Sequence, residues 1–197
     1  EAPFKDWLAL PGYIVEQDES IDDAAERILY ELTGLRDLHM QQFHTFGEVN
    51  RHPQGRVITV AYYALIRING QKELRPITQY ARKAFWHPVN ELPKLAFDHT
   101  EIFKTGFNKI RRRLNYQPIA FELLPEKFTL TQLQLLYEAV LNKKLDKRNF
   151  RKKMLSYGFL KELDEKQKGV SYRAAKLYKF DRRKYTKIFQ NELNLDK

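Results

Sequence analysis

Glu16, Glu19 and Glu31 are the acids of this chain whose placement could do chemistry, and they share one segment, GYIVEQDESIDDAAERILYELTGL at 12–35. A hard cation such as Mg²⁺ takes oxygen ligands, and two carboxylates one helical turn apart can share it. Positions 28 and 32 have that i, i+4 spacing and lie on one helix face. They hold Ile and Leu, which offer no lone pairs. Glu31 alone leaves an incomplete site. The sequence therefore predicts no catalytic residue, no metal ligand and no cofactor.

A helix must position these acids. Ile21, Ala24, Ala25, Ile28, Leu29 and Leu32 form an apolar stripe at helical spacing. Ser20 is a good N-cap, Asp22 and Asp23 suit the first turn, and Gly34 suits the exit. Periodicity by itself describes an amphipathic helix; fixed offsets say more. The Nudix box runs Gly, five residues, Glu, seven residues, then Arg-Glu-apolar-x-Glu-Glu-x-Gly-apolar. Glu19, Arg27, Leu29, Glu31, Gly34 and Leu35 fall in place. Leu10-Pro11-Gly12, Glu16, Ser20, Ala24-Ala25 and Thr33 add to the match. The segment resembles a Nudix box in which Tyr13 replaces the first Gly, and Ile28 and Leu32 replace two of three clustered acids. The resemblance implies a degenerate Nudix α/β sandwich.

The flanking sequence fits that fold. Trp7–Leu10 reads as a strand running into the Pro11-Gly12 turn. Residues 38–49 and 57–68 are β-rich, with the polar loop Asn50–Arg56 between them and an Asn69-Gly70 turn after them. Residues 83–87 read as a further strand, and Asp98 as the cap of a helix reaching about Tyr116. The order fits a mixed sheet with the box helix on one face. The sequence begins without Met about a dozen residues before the box. A Nudix fold normally has a strand or two there, so an N-terminal strand is expected to be missing.

Charge divides the chain. Residues 1–117 carry 16 Lys+Arg against 15 Asp+Glu, a net of +1, whereas 118–197 carry 19 against 10, a net of +9. A one-ended basic field points to a polyanion, nucleic acid before membrane. The expected domains are 1–116, which senses an effector, and 117–197, joined at Gln117-Pro118. In the second, Thr129-Leu130-Thr131 starts a helix with Leu130, Leu133, Leu136, Tyr137 and Val140 on one face. Asn142–Leu145 turns the chain, and Asp146 caps a second helix that ends at Gly158. Residues 159–163 and 175–180 read as strands around a polar loop, 164–174. Helix, turn, helix, strand, loop and strand make a C-terminal winged helix-turn-helix.

In its second helix Phe150, Met154 and Leu155 are expected to pack inward. Lys147, Arg148, Asn149, Arg151 and Lys152 are left for DNA, with Lys153 beside them. Arg can bond guanine and Asn adenine in pairs, while Lys holds phosphates. Lys166, Lys168 and Arg173 of the wing are further phosphate candidates. No acid lies between Asp146 and Glu162, whereas a merely solvated helix mixes signs.

Globular composition is clear, with 43% hydrophobic residues, and the absence of Cys excludes disulfides and thiol chemistry. No apolar run is long enough for a membrane span. A cytoplasmic location is expected.

Phe121-Glu122-Leu123-Leu124-Pro125, Phe128-Thr129-Leu130, Tyr137-Glu138-Ala139 and Asp146-Lys147-Arg148-Asn149-Phe150-Arg151 resemble the linker and winged helix of the Nudix-related NrtR-type regulators. The resemblance spans essentially the whole chain. It implies a bacterial transcriptional regulator: a homodimer on a palindromic operator in double-stranded DNA, with a Nudix-like domain that senses a metabolite. Some branches sense ADP-ribose and govern NAD metabolism; others govern carbohydrate metabolism, including arabinose. The R-x-L-x-x-L-T-G-L form at 27–35 resembles the sugar branch. A neutral sugar needs rings and hydrogen-bonding groups, which Trp7, Tyr13, Glu16 and Arg51 could supply. A sugar effector is therefore the expectation. The alternatives are an ADP-ribose sensor, a Nudix pyrophosphatase using Glu16, Glu19 and Glu31, and a purely structural dimerisation domain.

Overall fold

Ser20 starts the first helix by closing a capping box. Its hydroxyl accepts from Asp23 N–H at 3.1 Å, and the Asp23 carboxylate accepts from Ser20 N–H at 3.4 Å. This helix, α1 (Ile21–Thr33), carries Asp22 and Asp23 in its first turn, where the helix dipole favours negative charge. It buries Ala24, Ile28 and Thr33. Gly34 ends it at φ 74, with its N–H on Tyr30 O at 2.7 Å. A Cβ at Gly34 would lie 3.0 Å from Arg75 O, because residues 75–78 cross the helix end. There Arg75 N–H donates to Thr33 O at 3.0 Å and Ile77 N–H to Glu31 O at 2.7 Å.

The structure is a computed structural model that describes residues 4–53, 55–67, 73–78, 81–116, 119–169 and 174–193. After α1 come β1 (Met40–Phe46) and β2 (Thr59–Ala64), antiparallel, with Met40 opposite Ala64, Phe46 opposite Thr59 and an irregularity between Gln42 and His44. A 3₁₀ turn at Val89–Glu91 precedes α2 (His99–Tyr116). Phe46, Ala61 and Ile102 form a buried cluster, with Leu10 and Phe43 packed on it. Gly106 lets α2 approach this cluster: a Cβ there would sit 2.9 Å from the Phe43 ring.

The chain divides into two compact units, Glu1–Ile110 and Arg111–Lys197, and the division falls within α2. The expected linker, Gln117-Pro118, lies outside the described residues. The second unit contains the last turns of α2, α3 (Ile119–Glu122), α4 (Leu130–Leu141), α5 (Lys147–Ser156), β3 (Leu160–Lys166), β4 (Lys176–Phe180) and α6 (Arg182–Leu193). Thr129 and Gln132 form a second capping box at α4, at 3.1 and 2.8 Å. Asn142 closes that helix in the left-handed conformation that Asn tolerates, at φ 49. Glu138 accepts from Leu145 N–H at 2.9 Å, and Gln134 donates to Leu145 O at 3.0 Å, so side chains of α4 lock the turn into α5. Phe128, Leu130, Leu133, Phe150, Met154, Phe159 and Tyr178 are buried. β3 pairs antiparallel with β4, and Phe128 pairs with Tyr178 through backbone bonds of 2.9 and 2.7 Å.

Several expectations are corrected. Trp7–Leu10 is no strand: Leu8 O accepts from Ala96 N–H at 2.8 Å, and Leu10 N–H donates to His99 Nδ1 at 3.0 Å. Its partners are a loop and a side chain, so no ladder forms. Residues 83–87 form no ladder either. Among the described residues the sheets are two antiparallel pairs, β1–β2 and β3–β4, rather than one mixed sheet. The Asn69-Gly70 turn lies outside the described residues. Asp98 precedes α2 as expected, but its carboxylate turns to Arg51. Leu155, expected inside, is 44% exposed, because Phe150 and Met154 already fill the inward face of α5. Sequence reading missed α6 and the short α3.

Candidate functional site

Arg27 organises the box. Glu19 grips its guanidinium with two bonds, Nε to Oε2 at 2.8 Å and Nη2 to Oε1 at 2.6 Å. Nη1 reaches Glu31 at 3.3 Å and Glu16 at 3.8 Å, and Nη2 donates to Ile14 O at 3.0 Å. Glu19 also accepts the Glu16 N–H at 2.8 Å. The Arg27 guanidinium, followed by that backbone N–H, holds the Glu19 carboxyl down at about 2. The same partnership holds Arg27 above its ordinary value. All three acids thus face a cation supplied by the chain itself. Ile28 is buried and Leu32 half-buried. Among the described residues no group of three or more His, Asp or Glu is arranged to hold a metal ion. With Ile28 and Leu32 at two of the three clustered positions, the donor set departs from the one that a hydrolytic Nudix site offers its divalent cation.

The expected effector residues have different surroundings. Arg51 is structural in its contacts: it grips Asp98 through Nε at 2.7 Å and Nη2 at 2.8 Å, and Nη1 donates to Thr59 Oγ1 at 2.7 Å. Its side chain is only 5% exposed. Trp7 is exposed, edge-on to Phe4 at 5.5 Å, with Lys94 Nζ 5.8 Å from its ring. Tyr13 is exposed, and Glu16 is exposed beside Arg27. His52 stacks on Phe97 at 4.8 Å, next to the Arg51–Asp98 pair. Burial pushes His99 below its ordinary value of 6.5, consistent with a neutral ring whose Nδ1 accepts from Leu10. A depression of about 450 Å³ beside α1 and β1 is lined by Asp22, Glu26, His39, Gln41 and Tyr62, and none of the four expected residues lines it. Its carboxylates disfavour a phosphorylated ligand.

On the second unit α5 presents one sign of charge. The Asp146 carboxylate caps it by accepting from Asn149 N–H at 2.8 Å. Lys147, Arg148, Asn149, Lys152 and Lys153 are exposed. Arg151 is half-buried, its Nη2 on Thr131 Oγ1 at 3.2 Å, so it braces α5 against α4 as well as adding charge. Lys166 and Lys168 are exposed at the end of β3 and after it; Arg173 lies outside the described residues. The wing is less basic than its lysines suggest. Glu165 accepts from Lys127 at 2.7 and 2.8 Å, and Glu162 pairs with Lys176 and accepts from Tyr178 at 3.0 Å. Sequence reading missed the central role of Arg27. The signal was present as an Arg with Glu31 four residues on, the helix spacing for a pair.

Fold and site define a Nudix-type domain joined to a winged helix. Residues 1–105 match the NUDIX domain model, and residues 120–180 match the NrtR DNA-binding winged helix domain. The ADPR-responsive transcriptional repressor NtrR of Acinetobacter baylyi is 34% identical over 182 residues, which span 90% of this chain and 71% of that protein. The crystal structure of Shewanella oneidensis NrtR complexed with a 27mer DNA aligns with a TM-score of 0.70 at 26% identity, covering 94% of this chain and 85% of that one. The ADP-ribose pyrophosphatase of Methanocaldococcus jannaschii is 35% identical over 102 residues, 52% of this chain and 58% of that enzyme. The chain belongs to the NrtR-type family of Nudix and winged-helix regulators. The expectation of the sugar-responsive branch is corrected: the relative that spans most of the chain is named for its response to ADPR, not for a sugar. No helix among the described residues is long and apolar enough to cross a membrane.

Proposed function

We propose that this chain is a transcriptional repressor that binds an operator as a homodimer and takes ADP-ribose in its Nudix domain as a signal, not as a substrate. The observation that carries the reading is the similarity to an ADPR-responsive repressor along 90% of the chain, across both halves. The surface of α5 supports the DNA arm: Lys147, Arg148, Asn149, Lys152 and Lys153 are exposed and no acid follows the cap. The box supports the sensing arm, since apolar side chains stand at 28 and 32 and the acids that remain gather around Arg27, with Glu19 clasped most closely.

A pyrophosphatase is the second reading, favoured by the likeness of the first unit to an ADP-ribose pyrophosphatase. One pair of measurements separates the two. ADP-ribose at 100 times its Kd stabilises the protein by about 2.7 kcal/mol, visible as a raised Tm. Over the same concentrations, with Mg²⁺ or Mn²⁺, AMP formation stays far below the enzymatic range of about 1 per second. Turnover in that range overturns the regulator-only reading. Absence of any thermal shift overturns the effector.

A further inference from the structure

We infer that α6 carries a second cationic face that seats on DNA phosphates beyond the bases facing α5. The inference rests on the DNA-binding reading above and extends it to an element outside the matched winged-helix region, which ends at residue 180. Arg183, Lys184 and Lys187 are exposed, while Tyr185 and Ile188 are half-buried on the other side. From 182 to 187 there are four cations and no acid. That distribution is unfavourable for the isolated fold. Cations in the first turn oppose the helix dipole, and one carboxylate stands against them there, that of Asp181, which accepts from Lys184 N–H at 3.1 Å. The charge is compensated when a polyanion covers this face.

The face is also held in register with α5. Tyr157, at the end of α5, stacks on Phe159 at 5.3 Å. Phe159 meets Tyr185 of α6 edge-on at 5.5 Å, and its carbonyl accepts from Asp181 N–H at 2.8 Å. This run of packed rings carries the lysines and arginine of α6 at a fixed offset from those of α5. Regularly spaced phosphates are the occupant that such an array of like charges fits. Base edges are not required, so the contact adds affinity without adding sequence preference.

The test uses the full chain, a duplex containing the motif it selects with long flanks, and the same duplex trimmed to the motif. The variant is Arg183→Gln with Lys184→Gln and Lys187→Gln. As a charge control, Lys104→Gln with Lys109→Gln alters exposed lysines of α2. On the long duplex the α6 variant is expected to bind roughly tenfold or more weakly near physiological salt. Its salt slope should be shallower by about 0.9 for each phosphate that the variant no longer neutralises. Its motif preference should be unchanged, the α2 control should match wild type, and trimming should remove most of the wild-type advantage. Equal slopes for wild type and the α6 variant, with Arg148→Ala still erasing motif preference, overturn the inference and leave the DNA reading standing. Loss of binding to anionic vesicles or RNA, with DNA binding unaltered, also overturns it. If wild type selects no motif at all, the DNA reading fails first and the inference falls with it.

Discussion

Arg27 does for the box acids what a bound cation does elsewhere: it gathers Glu16, Glu19 and Glu31 around one positive centre. The consequence is measurable as a titration. Glu19 should titrate near 2, against an ordinary value of 4.5. A carboxyl whose folded value is lowered stabilises the fold above its unfolded value, and that contribution is lost as pH falls toward the folded one. The window here runs from about 4.5 down to about 2. In Arg27→Gln, carboxyl NMR should find Glu19 shifted up toward 4.5, and the urea midpoint should depend less steeply on pH across that window. A Glu19 that still titrates near 2 in the variant would assign the effect to the Glu16 N–H instead.

At the scale of elements, local signals and partner-dependent ones separate. Ser20–Asp23, Thr129–Gln132 and Asp146 are caps written within four residues, so α1, α4 and α5 are legible in the sequence. A strand is defined by its partner, which is why Trp7–Leu10 reads as one yet bonds to Ala96 and His99. Arg51 looks available for a ligand in the sequence because its clasp, Asp98, lies 47 residues away. Gly34 belongs with the legible features, and its role can be checked. Gly34→Ala meets both a positive φ and Arg75 O at 3.0 Å, so chemical denaturation should show a loss of about 1 kcal/mol or more. A neutral outcome would mean that the 75–78 crossing yields easily. For α5, Arg148→Ala should cost about 1–3 kcal/mol on the preferred duplex and relax its preference. Lys152→Ala should weaken all duplexes alike and lower the salt slope by about 1. The reverse pattern, read from competition binding, would exchange the two roles.

For the whole molecule, the charge asymmetry and the box describe two jobs on one chain. The basic excess lies in 118–197, which holds the match to a DNA-binding winged helix domain, and 1–105 matches a Nudix domain whose box acids gather around Arg27. What joins them in the proposed function is linkage. If ADP-ribose alters DNA affinity, DNA must alter ADP-ribose affinity by the same factor, commonly about 5–150-fold, or about 1–3 kcal/mol. The most direct measurement is fluorescence anisotropy of a labelled duplex bearing the selected motif, titrated with the full chain with and without saturating ADP-ribose. That linkage predicts that the two binding curves separate by at least about fivefold, and that arabinose in place of ADP-ribose leaves the curve unmoved. Curves that superimpose with and without ADP-ribose, in a protein shown to bind both ligands, would contradict it.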